Sequence, residues 1–159
     1  MLKIFQDALG DRIQISGLAD KIKESDRLGK KNKKGFYNYD ERGKDTGPDS
    51  SMYNLLGLSS ANDKLSEEEC IERGIFQMIN EASRALLEDK IVETPGELDL
   101  AMIMGTGFPP FRGGLLRYAD TVGAAKIVER LEHYKSKCGI RFTVADSLKD
   151  MASKQGTFY

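Results

Sequence analysis

The sequence predicts an all-α fold, and three observations support this prediction. Ser66 and Glu69 have the spacing of a capping box, in which the serine caps a helix and the glutamate reaches back. Thr94 and Glu97 repeat the pattern, with Pro95 at the first helical position. Elsewhere the apolar residues recur at steps of three and four, and little of the chain alternates as a strand does. Helices joined by short turns are typical of an all-α domain.

The residues after Ser66 predict a helix with one apolar face. The apolar positions expected on that face are Ile71, Ile75, Ile79, Ala82 and Leu86. Because their spacing matches the helical period, we expect them to pack into a core.

The residues before this helix predict shorter elements. Residues 2–9 suggest a helix stopped by Gly10, and Ser16 is expected to cap a second helix that ends at Gly29. Residues 40–51 are polar and contain glycine and proline, so they are expected to form a linker or mobile loop. We expect this segment to be mobile on the hydrogen-exchange timescale. Residues 52–58 suggest a brief helical turn.

Three boundaries are expected after Thr94. Gly105 is expected to end the second helix in a left-handed conformation. Residues 121–138 suggest a further helix closed by Gly139. Thr143 and Asp146 are expected to start the last helix.

Composition excludes several classes of function. The chain has 159 residues, of which 40% are hydrophobic and 31% charged, as in a soluble globular protein. A net charge of −1 gives no general attraction to nucleic acid. No apolar run is long enough to span a bilayer, and the first residues do not resemble a secretory signal. The widely separated Cys70 and Cys138 fit a reducing compartment.

A search for catalytic and binding groups finds little. Residues 105–107 (GTG) look like part of a dinucleotide loop, but they follow a helix, so a turn is the favoured interpretation. His133 is the only histidine, and we expect it to be solvated rather than a catalytic base or a metal ligand. The lysines 30, 31, 33 and 34 suggest a solvated loop, with phosphate contact as the alternative.

The chain also repeats itself. Residues 18–24 (LADKIKE) resemble residues 144–150 (VADSLKD), and each stretch is followed by a glycine and then by Phe-Tyr. Chance similarity of helical segments is the alternative explanation. If the repeat is real, the first copy lacks its opening helices, and we expect the chain to begin within a repeat.

These motifs together resemble the C-terminal helical region of 3-hydroxyacyl-CoA dehydrogenases, as found in the α subunit of the fatty-acid β-oxidation multienzyme complex. The resemblance rests on a Gly-Lys-Lys-Asn-x-x-Gly-Phe-Tyr stretch, an Asn-Glu-Ala step, the rigid turn in residues 105–114 (GTGFPPFRGG) and the final Phe-Tyr. The matched positions are Gly35, Phe36, Tyr37, Asn80, Glu81, Gly107, Pro109, Pro110, Gly114 and Asp120.

The resemblance implies a helical repeat domain of the 6-phosphogluconate dehydrogenase C-terminal type. Residues 1–40 would form the tail of a first repeat, residues 41–64 a linker and residues 65–159 a complete second repeat. It implies oxidation of an L-3-hydroxyacyl-CoA with NAD, by a histidine and a glutamate of a separate NAD-binding domain. This chain would supply packing and a wall of the acyl-CoA cleft, with no catalytic, cofactor-binding or metal-binding residue and no NAD of its own.

The family's substrate-facing Asn-Arg pair corresponds here to Glu72-Arg73, which departs from the pattern and argues against a second active site. We expect Lys30, Lys31 and Arg112 to contact the substrate or its coenzyme A.

The implied partners are upstream NAD-binding and enoyl-CoA hydratase domains, the acyl-CoA substrate and a thiolase β-subunit. Self-association is expected through the apolar residues Leu2, Ile4, Phe5 and Leu9. The implied location is the cytoplasm of a bacterium, which we favour, or the mitochondrion of a eukaryote. Two alternatives are an independent helical dimerisation module and an acyl-CoA binding module that uses the lysines.

Overall fold

The computed structural model describes residues 2–13, 17–58 and 65–159. The chain divides into two compact units, Met1–Lys64 and Leu65–Tyr159, which we call the first unit and the second unit. Helices dominate both units, so the all-α prediction is confirmed for the described part of the chain.

The first unit contains three helices and a hairpin. Its elements are α1 (Leu2–Leu9) with a 3-10 turn (Gly10–Arg12), α2 (Leu18–Glu24), β1 (Tyr37–Tyr39), β2 (Asp45–Pro48) and α3 (Ser51–Leu56). The helix over residues 2–9 is as predicted. The expected cap at Ser16 lies outside the described residues.

The predicted end of the second helix is wrong. Helix α2 ends at Glu24 rather than at Gly29, because Ser25 adopts an extended conformation with ψ 147°. The Ser25 hydroxyl donates to the Ile22 carbonyl at 2.7 Å and so closes the last turn.

The hairpin includes part of the segment 40–51, for which the sequence predicted a linker or mobile loop rather than a strand. The linker at residues 41–64 of the domain division stays a prediction. β1 pairs antiparallel with β2, with Asn38 opposite Gly47. The connecting turn is organised by Asp40, whose Oδ1 accepts from the amides of Arg42 at 2.8 Å and Lys44 at 2.9 Å. An aspartate side chain that accepts from backbone amides a few residues further on stabilises such a turn. The polar composition of this segment predicted a loop and did not indicate the hairpin. Its rate of hydrogen exchange stays a prediction.

The second unit contains five helices within its described residues. They are α4 (Glu67–Ser83), which continues as a π turn (Arg84–Glu88), α5 (Pro95–Thr106), α6 (Leu115–Val122), α7 (Ala124–Cys138) and α8 (Asp146–Ser153). Short 3-10 turns (Pro110–Arg112 and Ile140–Phe142) precede α6 and α8. The predicted caps are present: Ser66 accepts from the Glu69 amide, and Thr94 and Glu97 form a full capping box.

The core of the second unit lies between these helices. Its most completely buried apolar side chains are Ile79, Leu115, Leu116, Ile127, Leu131, Tyr134 and Leu148. The predicted face of α4 is partly wrong, because Ile71 is 47% exposed. The buried face is rotated and instead includes Glu72, Phe76 and Asn80 together with Ile79.

Three predicted boundaries also move. Gly105 stays inside α5, and Gly107, with φ 73°, ends that helix in the left-handed conformation. Gly123, with φ 89°, separates α6 from α7, so residues 121–138 are not one helix. The last helix is not capped by Thr143, whose hydroxyl donates to the Ile140 carbonyl at 2.7 Å.

Candidate functional site

The rigid turn between α5 and α6 positions a buried carboxylate. Asp99 on α5 is 3% exposed, and its oxygens accept from the α6 amides of Leu116 at 2.6 Å and Arg117 at 3.2 Å. A carboxylate at the N-terminus of a helix accepts hydrogen bonds from the free amides of the first turn and interacts favourably with the helix dipole. Gly114 has φ 122°, and a Cβ atom there would lie 2.2 Å from Asp99 Cγ. Only glycine fits this contact, so Gly114 has a structural role.

The last two residues of the chain are held at the same place. The Tyr159 hydroxyl donates to Asp99 at 2.9 Å, and the Arg117 guanidinium lies 3.5 Å over the Tyr159 ring. The amides of Phe158 and Tyr159 donate to Asp120 at 2.8 Å and 3.2 Å. Burial raises the pKa of Tyr159, and the hydrogen bond to Asp99 raises it further. Asp120 therefore fixes the final Phe-Tyr pair.

Asn80 joins α4 to the start of α8. Its side chain is fully buried, donates to the Thr143 carbonyl at 3.0 Å and accepts from the Ala145 amide at 2.8 Å. Glu81 pairs with Arg84 at 2.6 Å, and Arg84 also donates to the Thr143 carbonyl. These contacts satisfy backbone groups at a helix entrance, so Asn80 and Glu81 lie in a structural junction.

Glu72 forms the most unusual cluster of the second unit. It is 5% exposed, and its Oε2 atom accepts from Arg130 Nε and from the Tyr134 hydroxyl, both at 2.6 Å. Arg130 also donates to the Tyr134 oxygen at 2.7 Å. Burial raises the pKa of Glu72, but the bonds from Tyr134 and Arg130 outweigh it, so the net pKa is lowered. The carboxylate therefore stays charged although it is buried.

The Glu72 cluster lies beside an open cleft of about 370 Å³, which we call the Glu72 cleft. Its lining combines side chains of α4 and α6, most of them apolar, with the charged residues Glu67, Glu68 and Lys126. The hydrogen bonds of Glu72 to Arg130 and Tyr134 fix its carboxylate in place.

The lysine cluster of the first unit is an ordered turn. Lys30, Lys31, Lys33 and Lys34 are exposed, so their ammonium groups are accessible to a phosphate. The turn is organised by Asn32, which accepts from the Leu28 amide at 3.1 Å and donates to the Asp26 carbonyl at 2.6 Å.

Arg27 holds this turn to the hairpin. Its Nη1 donates to the Gly35 carbonyl at 2.8 Å and to Asp49 at 2.6 Å, and its Nη2 donates to Ser51. The bond from Arg27 is the main reason that the pKa of Asp49 falls from 3.8 to about 2. Gly35 is buried, and a Cβ atom there would approach Gly29 Cα to 3.1 Å. Gly35 therefore permits a close backbone crossing.

The other predicted positions are exposed. Phe36 is 56% and Tyr37 48% exposed in the first unit, where they line a groove of about 380 Å³ with residues of α3. Arg112 lies in the second unit, with its guanidinium carbon 5.6 Å from the Phe111 ring centre and 5.5 Å from that of Tyr118.

Two candidates for chemistry do not form a site. Gly105 and Gly107 lie at the C-terminal end of α5, where carbonyl groups rather than amides are free. A pyrophosphate needs amides and the positive end of a helix, so this segment does not fit a dinucleotide. His133 is half-buried against the edge of Tyr134 at 5.4 Å, and the described residues contain no group of side chains that could hold a metal.

The Glu72 cluster shows what the sequence analysis missed. Arg130 and Tyr134 are four residues apart, which places them on one helix face, but nothing in the sequence connects them to α4. The sequence signal that could have indicated the cluster is Glu72 itself. It lies four residues before Phe76, and this spacing places a charged residue on the buried face of the helix. Asp99 gives a similar signal, as an acidic residue within the apolar α5.

Comparison with known proteins identifies the relatives. Over 98% of its length the chain is 47% identical to the fatty acid oxidation complex subunit alpha of Shewanella amazonensis. It is 41% and 42% identical to the same subunits of Shewanella baltica and Shewanella halifaxensis over 98% of its length. The chain is homologous to part of the fatty acid oxidation complex α subunit. It spans 22% of the length of these α subunits.

A solved structure supports the fold. The dehydrogenase part of multifunctional enzyme 1 from C. elegans matches 93% of this chain with a TM-score of 0.59. The chain covers 35% of that structure at 22% identity, so the match speaks for the fold alone. No family model matches the sequence. None of the described helices is long and apolar enough to cross a membrane.

Proposed function

We propose that this chain is the C-terminal helical part of an NAD-dependent L-3-hydroxyacyl-CoA dehydrogenase of bacterial fatty acid β-oxidation. In that enzyme it packs against the catalytic domains and forms a wall of the acyl-CoA cleft. The observation that carries the proposal is the 47% identity to a fatty acid oxidation α subunit over 98% of the chain.

The division into repeats is part of the proposal. Residues 65–159 are a complete helical repeat, and residues 1–40 are the tail of an earlier repeat. The compact second unit and its own core support the first assignment. The glycine and Phe-Tyr at Gly35–Tyr37 and again at Gly156–Tyr159 support the second.

The chain contributes structure rather than catalysis. Hydride transfer needs a bound nicotinamide and a base that takes the hydroxyl proton. Glu72 is engaged by Arg130 and Tyr134, and the glycines of residues 105–107 present carbonyls instead of amides. A nicotinamide cofactor, NAD in this proposal, would be held by an upstream domain together with the catalytic histidine and glutamate.

Activity measurements test this role directly. We expect calorimetry to give no heat of NAD binding for the 159-residue chain, and a 3-hydroxyacyl-CoA to give no NADH absorbance. Joining an NAD-binding domain of an α subunit upstream should restore turnover. Turnover by the chain alone, lost in His133→Ala, would overturn the proposal.

Lys30, Lys31 and Arg112 are the proposed contacts to the coenzyme A part of the substrate. All three are exposed cations, and a coenzyme A carries phosphates. In the joined enzyme, the double variant Lys30→Ala/Lys31→Ala should raise KM for the acyl-CoA roughly 2- to 10-fold with kcat unchanged. The matched control is Lys135→Ala/Lys137→Ala, which removes two cations from α7. An equal effect of both double variants would reject a specific contact.

The proposed partners are the upstream NAD-binding and enoyl-CoA hydratase domains, a thiolase β-subunit and a second copy of the chain. A second candidate function is therefore a helical dimerisation module. It is favoured by the exposed apolar residues Ile4 and Phe5 on α1, which are 69% and 46% exposed. Analytical ultracentrifugation should then give a dimer that Ile4→Lys/Phe5→Lys dissociates. A monomer at high concentration would contradict this candidate. The proposed location is the bacterial cytoplasm.

A further inference from the structure

The Glu72 cleft contains a charged group that the proposed function does not use. Both strong hydrogen bonds to the Glu72 carboxylate, from Arg130 and Tyr134, go to Oε2. Oε1 accepts no hydrogen bond from any residue that the structure describes, and it keeps contact with solvent. Since Glu72 lines the cleft, Oε1 is an acceptor available to a bound molecule.

The Glu72 carboxylate is also held in a fixed orientation. Arg130 and Tyr134 come from one helix and contact the same oxygen within 2.6 Å. An acceptor whose orientation is already fixed binds a ligand with a smaller entropic cost. The cluster therefore prepares Oε1 for one donor of a ligand.

The charged side chains around the cleft determine which sign of charge the ligand should carry. Three of the lining side chains are glutamates, Glu67, Glu68 and Glu72, and one is a lysine, Lys126. Arg130 is paired with Glu72, so one negative charge remains in excess. Carboxylates repel phosphate and attract cations, so this cleft is not suited to the phosphates of a coenzyme A. A cation is the favoured ligand.

The apolar wall selects the shape of the ligand. Ile71, Phe76 and Val122 line the cleft, and Ile71 is 47% exposed there. Long cationic side chains bury their methylene stems along such surfaces while the charged end reaches a polar group. A volume of about 370 Å³ accommodates one side chain of this kind.

We propose that the Glu72 cleft binds a guanidinium or ammonium group carried on an apolar stem, with Glu72 Oε1 as its hydrogen-bond acceptor. Two sources have this chemistry: an arginine or lysine of a protein segment, and a free alkyl cation. This site is independent of the proposed dehydrogenase role, because it needs neither NAD nor an acyl-CoA.

Titration followed by NMR tests the proposal on the 159-residue chain. The two probes are butylguanidinium and the capped pentapeptide acetyl-Gly-Gly-Arg-Gly-Gly-amide. We expect saturable shifts of the Glu72, Ile71 and Val122 resonances. Equal affinities of the two probes would indicate that the apolar stem and the cation are sufficient for binding. Tighter binding of the peptide would indicate that the natural ligand is a protein segment. Butyl phosphate should give no saturable shift.

Two variants of opposite effect separate binding from folding. Glu72→Gln keeps an acceptor for Tyr134 but removes the charge, so it should weaken butylguanidinium binding roughly tenfold. Lys126→Gln removes an exposed competing cation and should tighten binding roughly twofold to fivefold. Glu132→Gln, an exposed carboxylate of the same helix as Arg130, is the matched control and should leave affinity unchanged.

Several results would overturn the proposal. They are the absence of saturable shifts for both cationic probes, saturable binding of butyl phosphate at the cleft, and equal effects of Glu72→Gln and Glu132→Gln. If Glu72→Gln does not fold, the tightening by Lys126→Gln decides, because that side chain is exposed and no core contact depends on it. Failure of these tests leaves the dehydrogenase role untouched.

Discussion

The two units are stabilised in different ways. The second unit has a continuous apolar core, and its buried polar groups, such as Asn80 and Asp99, are hydrogen-bonded to backbone amides. In the first unit, Met52 is the only apolar side chain that is buried among the described residues. The turn and hairpin of that unit are instead tied together by the polar contacts of Arg27. The comparison shows that a short segment can hold a defined turn without a large core.

The largest expected effect is in the second unit. Gly114→Ala should destabilise it by about 3–5 kcal/mol, because the new Cβ clashes with Asp99 and the backbone is strained. Denaturant unfolding measures this change. Gly105→Ala is the control, since Gly105 lies within a helix with open space around it, and this variant should stabilise by about 0.5–1 kcal/mol. Equal destabilisation by both would refute the Gly114 contact.

A core substitution should have the next largest effect. Ile79 is fully buried, so Ile79→Ala should cost about 2–4 kcal/mol through the cavity that it leaves. Ile71→Ala, on the exposed side of the same helix, should change the midpoint of denaturation little. A small effect of Ile79→Ala would show that the core of the second unit is elsewhere.

In the first unit the comparable test removes a polar contact. Arg27→Met keeps the aliphatic stem but loses the bonds to Gly35, Asp49 and Ser51. Amide exchange should then accelerate across residues 27–53 and stay unchanged in the second unit. Arg42→Met, in the exposed turn of the hairpin, is the control. Faster exchange in both units would contradict their separate stabilisation.

The smallest expected effect is a dependence on pH. The folded pKa of Asp49 is about 2, below its ordinary value of 3.8. A lowered pKa means that the stabilisation is present above pH 4 and is lost as the pH falls towards 2. Exchange in the hairpin should accelerate over this interval, and Asp49→Asn should remove the dependence. An unchanged profile in Asp49→Asn would assign it to another group.

The sequence predicted the features that depend on neighbouring residues. The caps at Ser66 and Thr94 are local signals, because donor and acceptor lie three residues apart. The same holds for Gly139, which closes α7. The apolar period of α4 predicted a helix correctly, but it could not fix which side faces the core. That depends on Tyr134 and Arg130, which are distant in sequence and draw Glu72 inward.

The features that were missed depend on distant partners. Gly123 interrupts a helical pattern that continues on both sides, and it adopts φ 89° between α6 and α7, which pack against each other. Glu88 caps the start of α8, because its side chain accepts from the Ser147 amide at 2.9 Å. The two residues are 59 positions apart in the sequence. The hairpin was missed because its strands have only three and four residues, and β2 (Asp45–Pro48) has no alternating apolar pattern. The roles of Lys30, Lys31 and Arg112 stay predictions.

The hydrogen bond between Tyr159 and Asp99 also has a consequence for synthesis. The two residues are 60 positions apart, so a ribosome that adds roughly 5–20 residues per second needs roughly 3–12 s to pass from one to the other. During that interval α5 and α6 can already meet through Asp99, while the ring that will cover the carboxylate has not been made. Until Tyr159 has been made, the Asp99 carboxylate lacks the hydroxyl that donates to it in the folded unit.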